Sequence, residues 1–369
     1  MTSQVARTYS LVEGTRLWRR TVLLQYIEML KVCFPSEYLR VSSCGKKSLP
    51  WECVGGERTV AYKPICCRSP LCPWCSATDS RRLVDYLKYR VHEIYGKLHR
   101  MIRFYRYEFT VPFDLQSKVG FEGLSELDKL AKETLVEYLG KPKDLHLGIA
   151  QVPQWWHSSD PFGSGKFGGF FAHVHGICFD FGFDDKQGRV VPFGKLYLSE
   201  DKGFARLRSL WREKVETRFG CSSAGDVDCY IRYEEGGDEL THRLQYMLRS
   251  PVQDFYGYVK SVGVLSGYDV EWVKRALRGR GHAQRVHYYG WLAPVSMSPK
   301  SNFMRFLGLE LLNRKSYDSE RKKVFCPVCE CFMERVPGAP PEDTDALVAR
   351  GERFVVSVPP WVVLRSRGG

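Results

Sequence analysis

FFAHVHGICFDF, residues 170–181, is rich in aromatic and β-branched residues and follows a stretch of Gly, Ser and Pro at 157–169. That composition, bounded by turn formers, predicts a strand. Side chains two apart leave the same face of a strand, so His173 and His175 project together. Two imidazoles held side by side bind a divalent ion through their neutral nitrogens. A lone histidine on such a strand is more simply a satisfied core residue. Two on one face ask for a further reason, and the flanking segments are where it is sought.

Upstream, FYRYEFTV (104–111), ended by Pro112, reads as another strand, and Leu145 to Gln154 as the one just before the histidines. Between them a helix is expected from Ser125, as N-cap, through Leu127, Leu130, Leu135 and Leu139 to Gly140 at C′. Downstream, Ser199 caps an expected helix with the apolar stripe Phe204, Leu207, Leu210, Trp211, Val215 and Phe219. DVDCYIRY (226–233) is a fourth strand, and Asp238 to Arg249 a last helix stopped before Pro251. Ahead of everything an amphipathic helix starts at Ser80, with Val84, Leu87, Val91, Ile94, Leu98 and Ile102 on one side. Its other faces carry Arg81, Arg82, Lys88, Arg90, Lys97 and Arg100, so it suits a core and DNA equally. The order β-α-β-β-α-β predicts an α+β protein with a split-βαβ core, ferredoxin-like or RRM-like, around an antiparallel sheet. Three parts are expected: a cysteine-rich region with the basic helix (1–103), the core (104–250), and a basic, aromatic region with further cysteines (251–369).

Gln151, in GIAQVPQWW, is a polar residue in the apolar strand before the histidines. Facing them across an antiparallel pair, its carbonyl oxygen makes a third ligand; alternatively it is an amide bonded to backbone. Two nitrogens and one oxygen suit Mg²⁺ or Mn²⁺ as a Lewis acid. Tyr246 and Arg249 are three apart on the last helix and share a face, with His242 one turn earlier. The tyrosine is a candidate nucleophile and the arginine a clamp for the charge that develops. Tyr256 and Tyr258, with Lys260 as their cation, are rival nucleophiles.

The chain carries a net charge of +13, a pI near 9.1 and 14% aromatic residues in 369 positions. A cationic excess favours polyanionic partners, and aromatics stack on unpaired bases. From Tyr256 to Trp291 cations (Lys260, Lys274, Arg275, Arg278, Arg280, Arg285) alternate with Tyr268, Trp272, Tyr288 and Tyr289, which fits phosphate contact with stacking, or a basic surface over an aromatic inner face. No long uncharged apolar run and no signal-peptide layout is present, so a cytoplasmic protein without a membrane partner is expected.

Of thirteen cysteines, seven fall between 33 and 75, and CPVCEC (326–331) holds three more. Tight Cys-x-x-Cys spacing in an intracellular chain points to structural Zn²⁺. Cys67, Cys72 and Cys75 supply three thiolates and need a fourth; Cys326, Cys329 and Cys331 make a second candidate set, with no nearby histidine to complete it.

Taken together, EFTVP (108–112), FAHVHGICF (171–179) and YMLR (246–249) resemble, in order and spacing, the motifs of HUH endonucleases among rolling-circle replication initiators. CRSPLCPWC (67–75), followed by SRR (80–82), is similar to the cysteine segment of plasmid initiators of this kind. The likeness is closest to initiators of archaeal plasmids or viruses, with transposases of the IS91 type as near relatives. It implies His173 and His175 as metal ligands and Tyr246 as nucleophile on single-stranded or hairpin origin DNA. The product is a 5′-phosphotyrosine and a free 3′-OH for the host replication machinery, in the cytoplasm of the host cell. It also implies Cys44, in a Cys-Gly, as fourth zinc ligand, with Cys53 and Cys66 as the other candidates. One departure is Arg249, where the family usually has Lys; Arg clamps a phosphate but does not give up a proton. A single-strand transposase, a relaxase, and a non-catalytic zinc-containing nucleic-acid-binding protein are the competing readings.

Overall fold

The architecture comes from a computed structural model. It describes residues 26–54, 59–69, 71–112, 115–119, 123–140, 145–157, 170–193, 200–220, 222, 229–248, 286–313, 315–317, 324–326 and 329–355. The chain is α+β with antiparallel sheets, divided into two units. Described residues of one unit come from 26–79 and 315–355, those of the other from 80–248 and 286–313. Where the sequence suggests three successive parts, the contacts instead join the two flanks of the chain into one unit. No helix among the described residues is long and apolar enough to cross a membrane.

The first unit contains α1 (Pro35–Ser42), β1 (Lys47–Cys53) and β2 (Val60–Pro64). It also holds the start of α2 (Pro73–Lys97). The second unit follows with β3 (Arg103–Thr110), α3 (Gln116–Val119), α4 (Leu124–Tyr138), β4 (Leu145–His157), β5 (Phe170–Asp184) and β6 (Arg189–Pro192). It continues through α5 (Glu200–Phe219), β7 (Cys229–Glu235), α6 (Gly237–Met247), β8 (His287–Tyr289) and α7 (Asn302–Leu307). Residues of the first unit then return as β9 (Val324–Phe325), β10 (Phe332–Arg335), β11 (Glu342–Asp343) and α8 (Thr344–Ala349).

In the second unit the strand order is β7-β3-β5-β4-β8, with β6 pairing with β5 and every pair antiparallel. Alternation along the strands divides the apolar residues between two cores. On one face Phe104, Val152, Ile177 and Phe179 meet Leu87, Val91 and Ile94 of α2, Leu240 and Leu244 of α6, and Trp291. On the other, Tyr105, Phe109, Ile149 and Val174 meet Leu127, Ala131 and Leu135 of α4 and Leu207, Trp211 and Val215 of α5. Each fully buried Leu or Phe of these layers contributes roughly 1.5–3 kcal/mol, so this sheet is held by ordinary apolar burial. A register shift between Leu147 and Ile149 resets β4 against β5 at Gly148, where the Trp291 ring fills the space a Cβ would need.

Most expected elements lie close to these bounds, with corrections at helix ends: α2 starts at Pro73, seven residues before Ser80. α4 starts at Leu124 with Gly123 as its N-cap, two residues before Ser125, and has no side-chain cap; its C-terminal turn ends as expected at Gly140, in the left-handed region at φ +61°. α2 ends at Lys97, so Ile102 packs from the segment before β3 rather than from the helix. Ser199 lies outside the described residues.

The first unit has a second sheet, which periodicity did not indicate. β1 pairs with β2 and, from the far part of the chain, with β10 and β11, while β9 pairs with β10. Among the described residues, Cys53, Ala61, Val324, Cys326 and Met333 form a buried cluster against this sheet, with Trp51 and Val355 packed on it.

Candidate functional site

β5 runs between β3 and β4, so each histidine has a neighbour on both sides. His173 stands opposite Thr110 and Gln154, and His175 opposite Glu108 and Val152. Directly opposed residues share a face and sit within side-chain contact distance. The two imidazoles are buried, with ring centroids 4.5 Å apart. Gly176 follows them because the Tyr107 ring lies where its Cβ would be.

Glu108 accepts from the Tyr230 hydroxyl at 2.9 Å and lies 3.2 Å from Nδ1 of His175. Burial works against its charge, but the bond to His175, the adjacent His173 and the Tyr230 hydroxyl together hold its pKa down at about 2. Burial and the Glu108 charge in turn push the Tyr230 hydroxyl up. A carboxylate only accepts, so Nδ1 of His175 carries the proton and Nε2 keeps the lone pair that a metal takes.

Tyr246, near the end of α6, has its ring edge-on to that of His175 with centroids 5.1 Å apart, and it is 40% exposed. An open cleft of about 280 Å³ is lined by Arg106, Glu108, His175, Tyr230, His242 and Tyr246. Its basic members are tied to acids: Glu234 pairs with Arg106 at 2.8 Å and with Arg243 at 3.3 Å. Both histidines and Tyr246 therefore come together as expected. Arg249, Tyr256, Tyr258 and Lys260 lie outside the described residues, as do Tyr268, Trp272, Lys274, Arg275, Arg278, Arg280 and Arg285.

Gln151 requires a correction. It pairs with Gly176, so it points to the face opposite the histidines. There it is fully buried, accepting from the Tyr107 hydroxyl at 2.5 Å and donating to the Asp128 side chain at 2.8 Å. Asp128 also holds Nδ1 of His287 and the hydroxyl of Tyr289. This closed network pins α4 and β8 to the sheet and offers a metal nothing.

Gln154, three residues on, takes the place expected of Gln151. It is buried opposite His173, and its amide nitrogen donates to the carbonyl oxygen of Met247 at 2.8 Å. Only the nitrogen can donate, so Oε1 is the end left over, buried and without a hydrogen-bond partner. A buried orphan acceptor beside two imidazoles fits a divalent cation that takes nitrogen and oxygen donors. Glu108 and Tyr230 were also missed. The available signals were a carboxylate in an aromatic strand (FYRYEFTV) and the parity of positions 151 and 154.

Two aromatic and basic readings are narrowed. Trp291 is a core residue stacked on Phe181 at 4.7 Å, and Tyr289 is held by Asp128, so neither is free for bases. On α2, Arg90 is buried with its guanidinium over the Tyr86 ring, and beyond the helix Arg100 pairs with Asp180.

Cys44, Cys67, Cys72 and Cys75 have their sulfurs within 4.8 Å of one another, the set expected for a structural metal such as zinc. The sulfurs of Cys44 and Cys67 each lie 3.7 Å from that of Cys75. Backbone N–H groups of Cys67, Ser69 and Cys75 point at the sulfurs of Cys44, Cys67 and Cys72, each at 3.5 Å. Crowded by neighbouring thiols and by burial, Cys44 holds its proton more tightly than usual, while bonds from its neighbours make Cys67 easier to ionise than an ordinary thiol. Cys66 is exposed and outside this set, and Cys53 gathers instead with Cys326 and Cys329. Among the described residues these are the two groups of His, Cys, Asp or Glu that close to within 4.8 Å; the histidine pair with Glu108 is a looser arrangement.

No protein-family model matches the chain, and neither does any curated protein or solved structure.

Proposed function

We propose that the protein is a metal-dependent HUH endonuclease and strand transferase that nicks and rejoins single-stranded or hairpin origin DNA to start rolling-circle replication. The observation that carries this reading is the Tyr246 ring packed against His175, at the rim of an open cleft and beside a buried histidine pair. Further support comes from the strand order β7-β3-β5-β4. It puts the first and third strands of the β-α-β-β-α-β unit at the centre, as a ferredoxin-like core requires.

The donor set is His173, Nε2 of His175 and Oε1 of Gln154, which suits Mg²⁺ or Mn²⁺. Held by these residues, such an ion would supply Lewis-acid charge to the scissile phosphate. Glu108 orients His175 through Nδ1, and Gln154 holds the backbone at Met247, next to the tyrosine. In the reaction the Tyr246 oxygen bonds to phosphorus and loses its proton. The bond from phosphorus to the 3′ oxygen of the preceding nucleotide breaks, and that oxygen leaves as a 3′-OH. In reverse, a 3′-OH attacks the phosphotyrosine and the phenol is released, which rejoins the strand. The free 3′-OH is the primer that host replication machinery extends.

The test is incubation of the full chain with single-stranded origin-like DNA and Mn²⁺, read on a denaturing gel. A covalent adduct is expected from the wild type and none from Tyr246→Phe or His173→Ala. An adduct that survives Tyr246→Phe but not Tyr256→Phe or Tyr258→Phe moves the nucleophile. No cleavage with any divalent metal favours a non-catalytic binding protein.

A further inference from the structure

CPVCEC alone is one thiolate short of a zinc site. The missing ligand is supplied from the other flank of the chain. Cys53, at the end of β1, has its sulfur within 4.8 Å of those of Cys326 and Cys329, and 3.6 Å from Cys329 itself. The pairing that brings it there is specific: β10 lies antiparallel on β1 with Cys53 opposite Met333, two residues past Cys331. The Cys331 sulfur stands outside this close group of three, and the backbone bond between Cys326 and Cys331 keeps Cys331 beside it as the fourth thiol at hand.

The backbone around these sulfurs is built as it is in the four-cysteine set at Cys44, Cys67, Cys72 and Cys75. The N–H of Cys326 donates to the carbonyl of Cys331 at 2.8 Å and that of Glu330 to the carbonyl of Cys326 at 3.1 Å, closing a tight turn. Glu330, directly after Cys329, holds φ at +57°, a left-handed conformation that a residue with a Cβ rarely adopts. In the other cluster the residues directly after Cys44 and Cys67 do the same, Gly45 at φ +72° and Arg68 at +54°. Two of the three described non-glycine residues with positive φ thus follow a clustered cysteine. A left-handed residue after a cysteine curls the chain back around its sulfur, and such strain persists where its surroundings over-determine the turn.

These thiols are not a disulfide pair: none of the four is in a disulfide, and the 3.6 Å between Cys53 and Cys329 is far beyond a sulfur–sulfur bond of about 2.05 Å. Nor does the surrounding core explain the turn, since two of its five buried members are Cys53 and Cys326 themselves.

We propose that Cys53, Cys326, Cys329 and Cys331 bind a second Zn²⁺, a closed tetrathiolate site that clasps segments 276 residues apart in sequence. With four protein ligands it has no open position, and its role is structural. This assignment is independent of the nuclease reading, because its measurement is metal content.

The experiment is zinc quantification and Co²⁺ substitution on the purified full chain. The wild type should hold two zinc ions, with cobalt bands intense enough for two tetrathiolate sites. Cys53→Ser and Cys329→Ser should each hold one, as should Cys67→Ser through the other site. Cys53→His, which keeps a ligand at that position, should retain two with the cobalt bands shifted. Cys331→Ser should weaken one zinc at least tenfold and leave the other unchanged. A wild type holding one zinc, or a Cys53→Ser variant holding two, overturns the proposal.

Discussion

Gln151 and Gln154 sit three residues apart on one strand, are both buried, and end in opposite circumstances. Behind the sheet, each polar atom of the Gln151 amide is engaged by Tyr107 or Asp128. In front, Gln154 uses its nitrogen on Met247 and leaves its oxygen with no hydrogen-bond partner. A complete network holds structure together, whereas the buried acceptor left over is the oxygen that the proposed cation would take. The same residue type in the same segment thus has two environments, and only the register distinguishes them.

The largest way to break that comparison is Asp128→Ala. It strips His287, Tyr289 and Gln151 of their shared acceptor at a site 2% exposed. A loss of about 3–5 kcal/mol in urea unfolding is expected, as when one partner of a buried pair is removed. The Mn²⁺ affinity of the protein that remains folded should be unchanged; a weakened affinity would place a ligand on the wrong face. Gln154→Ala inverts the pattern. Calorimetric Mn²⁺ affinity should fall roughly 10–100-fold, the size of effect seen when a metal site loses a supporting group, while unfolding shifts by only about 1 kcal/mol. Tyr107→Phe is the smallest, about 1 kcal/mol for one hydrogen bond, with metal binding and adduct formation intact.

Why this was only partly legible in the sequence follows from what each signal depends on. Helices with stripes such as Leu127, Ala131 and Leu135, and strands such as FYRYEFTV, announce themselves through local periodicity. Cys44 joined its cluster as the resemblance implied. Register does not announce itself. Whether Gln151 or Gln154 meets His173 depends on how residues 158–169 connect β4 to β5, and one residue more or less moves every side chain to the other face. The second sheet was hidden for another reason. β9 and β11 are two residues long and β10 four, too short for any period, and the strand that β10 and β11 pair with lies hundreds of positions away. Cys53 could not be assigned from spacing for the same cause.

The placement of β1 also imposes a timetable. As the chain leaves the ribosome, residues 47–64 can form the β1–β2 hairpin at once, but the other edge of β1 awaits residues 333–343. At roughly 5–20 residues per second that wait is on the order of fifteen to sixty seconds. Throughout it an open strand edge and thiols meant for a distant partner are exposed to mispairing with other nascent chains. Residues 333–343 therefore act as the lock on a strand made long before them, and expression that stalls ahead of them should yield aggregates seeded by the β1–β2 hairpin.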